Sequence, residues 1–142
     1  MRTTILLPFC LLLAFSVSAQ KIDVTAYSFF GLGINTSKDK KFGAELKGLF
    51  NRSFKETGFE LTGMYQFKRK PLYQFSIGAG INMAPFRGFD ELNYFVVPVQ
   101  FALFPIKDVP QLSFIAELTP EISVQERFAF RNLWGVRYAF GK

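Results

Sequence analysis

Two glutamates, Glu117 and Glu121, have the residue type and spacing that come nearest to catalytic chemistry in this 142-residue sequence. Acid–base enzymes such as glycosidases use paired carboxylates, one as the proton donor and the other as the base or nucleophile. The sequence around the pair alternates like a strand, so the two side chains share a face and lie ~13 Å apart at ~3.3 Å per residue. Glycosidases hold their carboxylates no more than about 9.5 Å apart. The pair therefore does not predict an active site.

The sequence contains no histidine and a single cysteine, Cys10. Without histidine, the Ser-His-Asp and Cys-His catalytic sets and imidazole metal sites are excluded. The acidic pair Asp90 and Glu91 supplies too few oxygen ligands for a calcium loop. No helical pattern follows Gly31 and Gly33, as a phosphate-binding loop would require. We therefore predict that the protein is not an enzyme and uses no metal or cofactor.

Residues 1–19 have the layout of a secretory signal peptide. Arg2 gives a basic start, an apolar run extends from Ile5 to Phe15, and small residues precede an expected cleavage site after Ala19. The apolar run is shorter than the ~20 residues that a membrane-spanning helix needs. We expect the mature chain to be residues 20–142, without a thiol because Cys10 is removed.

Beyond Asp23, apolar and polar residues alternate with a period of two, which is typical of strands with one apolar face. In "LYQFSIGAGINMA", the large apolar residues take one face and Gln, Ser, Gly and Asn take the other. The same pattern occurs in "KFGAELKGLF", "GFELTGMYQFK" and "QLSFIAELTPEI". Turn-forming sequences such as "NTSKDK", "KRKP" and "IKDVP" separate the runs. The pattern predicts an all-β protein, an antiparallel up-and-down β-barrel.

The number of strands is predicted from the alternating runs. Seven are visible, at about residues 23–35, 41–50, 58–68, 72–84, 92–104, 111–122 and 128–140. Bacterial membrane barrels have an even number of strands, and eight is the smallest common number. We therefore expect eight strands in residues 20–142, with the missing one between Lys21 and Phe50. Because Pro98 lacks an N–H group, a bulge or strand break is expected there.

Alternation alone does not say which face of the sheet is inside. A transmembrane barrel turns its apolar face to lipid, whereas a secreted or periplasmic lipocalin-like barrel turns it inward around an apolar ligand. Runs of about 10–13 residues are long enough to cross a bilayer at a tilt, and glycines on the polar face suit a crowded lumen better than a solvated exterior. The last run has aromatic residues at both ends, Phe128 and Phe130 at one and Tyr138 and Phe140 at the other. These features favour the transmembrane barrel, and the ligand-binding barrel is the alternative.

Charged residues of both signs fall on the polar face, which would line the lumen of a transmembrane barrel. They are Glu45, Lys47, Glu60, Lys68, Glu117, Glu121, Arg131 and Arg137. A buried unpaired charge costs several kcal/mol, so we expect an ion-pair network that fills the interior. The basic residues are spread along the chain, so the formal charge of +6 does not predict binding to nucleic acid.

Three segments carry a family resemblance: the signal peptide ending in Ala-Gln, the pair "FELTGMYQF" and "YQFSIGAGINM", and the closing "WGVRYAFGK". They resemble small, porin-like outer-membrane β-barrel proteins of the kind abundant in Bacteroidota. In such proteins the barrel-insertion machinery reads alternate aromatic residues in the last strand, a role that the resemblance gives to Trp134, Val136, Tyr138 and Phe140. Here Gly141 and Lys142 follow the final phenylalanine, which departs from that pattern. The resemblance implies an outer-membrane location and contact with outer-membrane lipid.

The role predicted for such a barrel is structural or interactive. Barrels of this shape serve many unrelated functions, so the resemblance implies no activity. Short loops would present Arg87, Phe89, Lys107 or Arg127 to a protein partner whose identity the sequence does not give. A narrow pore is a third interpretation, although an eight-stranded barrel has room for side chains rather than for an open channel.

Overall fold

The computed structural model describes residues 21–36, 40–50, 57–84, 92–123 and 127–141 as strands, turns and loops. Nine strand segments are present: β1 (Ile22–Tyr27), β2 (Gly31–Thr36), β3 (Phe42–Leu49), β4 (Gly58–Gln66), β5 (Tyr73–Met83), β6 (Leu92–Val96), β7 (Val99–Leu103), β8 (Leu112–Ser123) and β9 (Phe128–Phe140). No helix among the described residues has the length and apolarity needed to cross a membrane. The predicted signal peptide and the predicted loop residues Arg87 and Phe89 lie outside the described residues.

The segments form one closed, antiparallel barrel with up-and-down topology. Each strand pairs with its neighbours in the chain, and β1 pairs with β9, from Ile22 opposite Phe140 to Tyr27 opposite Gly135. β6 and β7 both pair with β5 on one side and β8 on the other, so they are two halves of one strand. The barrel therefore has eight strands, which confirms the predicted fold class and strand number.

The strand that the sequence pattern concealed lies in residues 21–50, where we expected it. β1 and β2 are short strands of six residues each, joined by a turn at Ser28–Phe30. Phe29 and Phe30 both have φ of 58°, a left-handed conformation that phenylalanine seldom adopts. The turn thus lacks the Gly, Asn or Pro residues that normally mark a hairpin in sequence.

The expected interruption at Pro98 is also present. β6 ends at Val96 and β7 begins at Val99. Pairing with the neighbouring strands continues across the gap, because the Gly78 N–H donates to the Pro98 carbonyl at 2.8 Å and the Val97 N–H donates to the Pro120 carbonyl at 3.1 Å. The proline is thus accommodated in a closed sheet at the cost of a local break.

The barrel is polar inside and apolar outside. In β4 and over most of β5, β8 and β9 the burial alternates residue by residue, as a pleated strand with one interior face requires. Buried polar side chains include Thr25, Asn35, Glu45, Lys47, Glu60, Thr62, Gln100, Ser113, Glu117, Thr119 and Arg137. Exposed apolar side chains include Leu46, Leu61, Phe75, Ile77, Phe101, Phe114, Leu118, Trp134 and Val136. This arrangement is the inverse of a water-soluble globular domain.

The two ends of the barrel differ in the connections that they carry. One end, here called the terminal end, holds Lys21 and Gly141 and the connections β2–β3, β4–β5 and β7–β8. The opposite end holds the connections β1–β2, β3–β4, β5–β6 and β8–β9. Lys107 lies at the terminal end and Arg127 at the opposite end, so these two predicted partner-contact residues do not share a surface.

Candidate functional site

Lys47 lies at the centre of the barrel interior. β3 directs its side chain inward, where its ammonium group is fully buried. The Nζ atom donates to both carboxylate oxygens of Glu117, at 2.6 and 2.7 Å, and to Oε1 of Glu60 at 3.1 Å. It also lies 5.4 Å from the centre of the Tyr27 ring. Charge-assisted hydrogen bonds to carboxylates on the neighbouring strand β4 and on β8 across the barrel thus replace the hydration that Lys47 loses.

Arg131 extends the network toward the opposite end. Its guanidinium lies 2.7 Å from Oε2 of Glu60 and 2.7 Å from Oε1 of Glu121, with a longer 3.7 Å approach to Glu117. The Arg131 side chain is 17% exposed and that of Glu121 is 14% exposed, whereas Glu60 is fully buried. Arg131 and Glu121 therefore lie where the buried charges first become accessible to solvent.

Arg137 forms a second centre, nearer the terminal end. Its Nε atom donates to the Thr25 hydroxyl at 2.6 Å, and its Nη2 atom lies 3.4 Å from Oε1 of Glu45. The same nitrogen donates to the Tyr27 hydroxyl at 3.3 Å. The Tyr27 hydroxyl in turn donates to Oε1 of Glu45 at 2.5 Å. The guanidinium, which β9 carries, thus contacts groups from two other strands, β1 and β3.

Gln100 joins the two centres. Its side-chain nitrogen lies 2.6 Å from Oε2 of Glu45 and 2.6 Å from Oε2 of Glu117, so one amide group bridges the two carboxylates. Its carbonyl oxygen accepts from Arg137 at 3.1 Å. Four carboxylates, three cations and one amide therefore form a continuous cluster along the interior, hereafter the interior network: Glu45, Glu60, Glu117, Glu121, Lys47, Arg131, Arg137 and Gln100.

The interior network is suited to filling space and fixing strand register. Each carboxylate that it holds contacts a cation or an amide. Among the described residues, no group of three or more His, Cys, Asp or Glu side chains is arranged to hold a metal ion. The full burial of Lys47, Glu45 and Glu60 means that side chains occupy the lumen at mid-height.

The structure brings together seven of the eight charged residues that the sequence predicts for the lumen; the exception is Lys68. Lys68 is exposed, so its predicted place on the lumen face is wrong. β4 ends at Gln66, and beyond a strand end the two-residue period no longer decides which way a side chain points. Sequence reasoning missed Tyr27 and Gln100, whose strands show weak alternation. Asp23 and Thr25 lie four and two residues before Tyr27, on the same strand face, and these polar residues are the signal that marks its face.

A cavity of about 760 Å³ opens at the opposite end of the barrel, above the interior network. Glu121, Arg131 and Asn82 contribute polar groups to it, and Phe50 and Phe130 are among its aromatic lining residues. β9 extends past the β1–β2 turn here, since β1 pairs with β9 only from Gly135 onward. From residue 128 to 133, no described strand pairs with that edge of β9.

The last strand carries the four residues expected to mark it for insertion. Trp134, Val136, Tyr138 and Phe140 all point outward from β9 and are exposed. The rings of Tyr138 and Phe140 contact edge to face, with centroids 4.8 Å apart. The strand closes the barrel by pairing with both β8 and β1.

Comparisons with known proteins add no family assignment. None of the protein-family models matches the chain, and none of the curated protein sequences matches it.

Proposed function

We propose that the protein is an outer-membrane β-barrel with a structural or interaction role, whose apolar exterior faces lipid and whose lumen is filled. The observation that carries this proposal is the inverted distribution of side chains. A wall of exposed Leu, Ile, Val and Phe in water would expose far more contiguous apolar surface than a soluble monomer tolerates. In a bilayer the same wall is solvated by acyl chains, and the pairing of β1 with β9 closes the sheet, as a membrane-spanning sheet requires.

The dimensions of the wall support this proposal. β5, β8 and β9 are 11, 12 and 13 residues long, and a tilted strand needs about 9–11 residues to cross the hydrocarbon core. Aromatic rings are paired near both ends of β9, Phe128 with Phe130 and Tyr138 with Phe140. Aromatic girdles at the two membrane interfaces have this distribution.

The filled lumen favours a structural or interaction role over a pore. Conduction requires a continuous water path, whereas Lys47, Glu45 and Glu60 are fully buried at mid-height. An interaction role would use the open cavity at the opposite end, where no described strand pairs with one edge of β9 over residues 128–133 and where aromatic and charged groups converge.

The alternative, a lipocalin-like barrel, is less well supported. Such a barrel holds its ligand in an apolar interior. The described interior has one small apolar cluster, which contains Tyr27, Ala102, Phe104, Ile115 and Leu133, and most of its other buried side chains are charged, amide or hydroxyl groups. An apolar ligand placed there would leave the interior network's charges unpaired, at several kcal/mol each.

Trp134, the only tryptophan in the sequence, provides the test of lipid contact. It lies on the outer face of β9 and is 66% exposed. Mature protein folded into phosphatidylcholine vesicles should lose most of its tryptophan fluorescence when the acyl chains are brominated. Unquenched fluorescence, together with solubility in detergent-free buffer, would contradict a lipid-facing wall and favour the ligand-binding barrel.

A further inference from the structure

The terminal end of the barrel is strongly basic. The sequences that connect the strands there contain seven basic and two acidic residues: Lys38, Lys40, Lys41, Lys68, Arg69, Lys70, Lys107, Asp39 and Asp108. By contrast, the sequences that connect the strands at the opposite end contain four basic and four acidic residues: Arg52, Lys55, Arg87, Arg127, Glu56, Asp90, Glu91 and Glu126. The positive charge is therefore concentrated on the end that holds the termini.

Four of these cations line one pocket of about 580 Å³ at the rim of the terminal end. Its lining residues are Lys40, Lys41, Lys68, Arg69, Tyr65, Phe67, Gln66 and Gln74. Arg69 is held in place, because its guanidinium stacks on the Phe104 ring at 3.8 Å and donates to the Pro110 carbonyl at 3.1 Å. None of the described side chains that line the pocket is acidic.

The outer wall next to this pocket contains an apolar groove. It has a volume of about 290 Å³ and shares Tyr65 with the cationic pocket. Gly63 and Ala79 are opposite each other in the β4–β5 pair and form a shallow depression, because neither side chain fills the wall there. Phe42 and Ile77 border the groove. The cationic pocket and the apolar groove therefore adjoin each other at Tyr65.

We propose that this combined site binds one anionic phospholipid, with its phosphate in the cationic pocket and an acyl chain in the groove over Gly63 and Ala79. Arg69 and the three lysines supply charge-assisted hydrogen bonds to phosphate oxygens. Tyr65 and Phe67 lie at the boundary between headgroup and hydrocarbon, where aromatic side chains partition. The inference rests on the proposed membrane location and adds a lipid class and a position on the barrel wall.

The test uses a fluorescent reporter inside the site and another outside it. The reporter variant carries Phe42→Trp with Trp134→Phe, and the unsubstituted protein, with Trp134 on β9, reports on the far wall. Both are folded into phosphatidylcholine vesicles with about 10 mol% phosphatidylglycerol. Bromine is placed either on the phosphatidylglycerol or on an equal amount of the phosphatidylcholine, so that the surface charge of the vesicles is the same.

We expect brominated phosphatidylglycerol to quench the tryptophan introduced by Phe42→Trp more strongly than brominated phosphatidylcholine does. The two brominated lipids should quench Trp134 equally. Adding Lys40→Gln, Lys41→Gln and Lys68→Gln should remove the preference. Each substitution should lower the affinity for phosphatidylglycerol relative to phosphatidylcholine by about fivefold. Lys107→Gln, which removes a charge at the same end outside the pocket, should leave it unchanged.

Equal quenching by the two lipids at the reporter, or a preference that survives the triple lysine substitution, would overturn the proposed lipid site. Either result would leave the membrane barrel intact, since both reporters would still be quenched. Absence of quenching by any brominated lipid at both positions would instead contradict the proposed function itself.

Discussion

At the residue scale, the free energy of unfolding depends on interior charges that are paired with each other and separated from water. Lys47 is the most connected cation, with Glu117 and Glu60 as direct partners. Removing one partner of a buried ion pair costs more than the pair contributes, because the other charges remain buried without compensation.

Lys47→Met should lower the free energy of unfolding by about 3–5 kcal/mol. Equilibrium urea unfolding of the folded protein in lipid vesicles measures this loss. Lys107→Met removes an exposed lysine and serves as the matched control, with a change near zero. Adding Glu117→Gln to Lys47→Met should restore part of the loss; a double variant whose loss equals the sum of the two single losses would show that the pair is not coupled.

Tyr27 makes a second contribution at the residue scale. Its hydroxyl contacts Glu45, Gln100 and Arg137, and the ring is buried. Tyr27→Phe should cost about 1–3 kcal/mol, since it leaves buried polar groups without a partner. Tyr138→Phe, on the outer wall, is the matched control. Equal urea midpoints for the Tyr27→Phe variant and the unsubstituted protein would contradict a role for this hydroxyl in the network.

At the scale of the strands, the sequence predicted most of the wall and less of the interior. Alternation in β5 and β8 identified the inward and outward faces because a strand reverses its side chains at each residue. The β1–β2 turn could not be predicted, since its Phe29 and Phe30 adopt a conformation that their type disfavours. Gln100 could not be placed beside Glu45 and Glu117 either, because that contact depends on how the sheet closes into a barrel.

The depth of an outward position should determine the cost of a charge there. Leu118 lies near the middle of β8, and Ile122 lies on the same face near its end. Leu118→Arg should cost ~2–4 kcal/mol and Ile122→Arg about 1 kcal/mol or less, because arginine near an interface reaches the headgroups. Folding free energies in vesicles measure both. A larger loss for Ile122→Arg than for Leu118→Arg would mean that the hydrocarbon band is misplaced.

The last strand should be required for insertion as well as for closure. Phe140 is opposite Ile22 in the pair that closes the barrel, and its ring contacts Tyr138. Phe140→Ala should reduce the amount of folded protein in outer membranes several-fold. Phe42→Ala removes an exposed ring at the same end from a different strand and is the control. Equal yields for the two variants would show that the machinery does not read Phe140.

At the scale of the whole molecule, three observations support one account: a closed eight-stranded sheet, an apolar exterior and a lumen filled by paired charges. A soluble barrel would need the opposite distribution of side chains, and a pore would need an open lumen. These observations support our proposal that the protein lies in a membrane and contacts other molecules through its ends and its apolar outer wall.

The measurement that tests this account most directly is fractionation of the full chain, expressed with residues 1–19, followed by electrophoresis of boiled and unboiled samples in dodecyl sulfate. The account predicts that the protein is in the outer-membrane fraction and migrates differently before boiling, because a closed barrel resists the detergent. Recovery in the soluble periplasmic fraction without detergent, with one mobility in both samples, would contradict it.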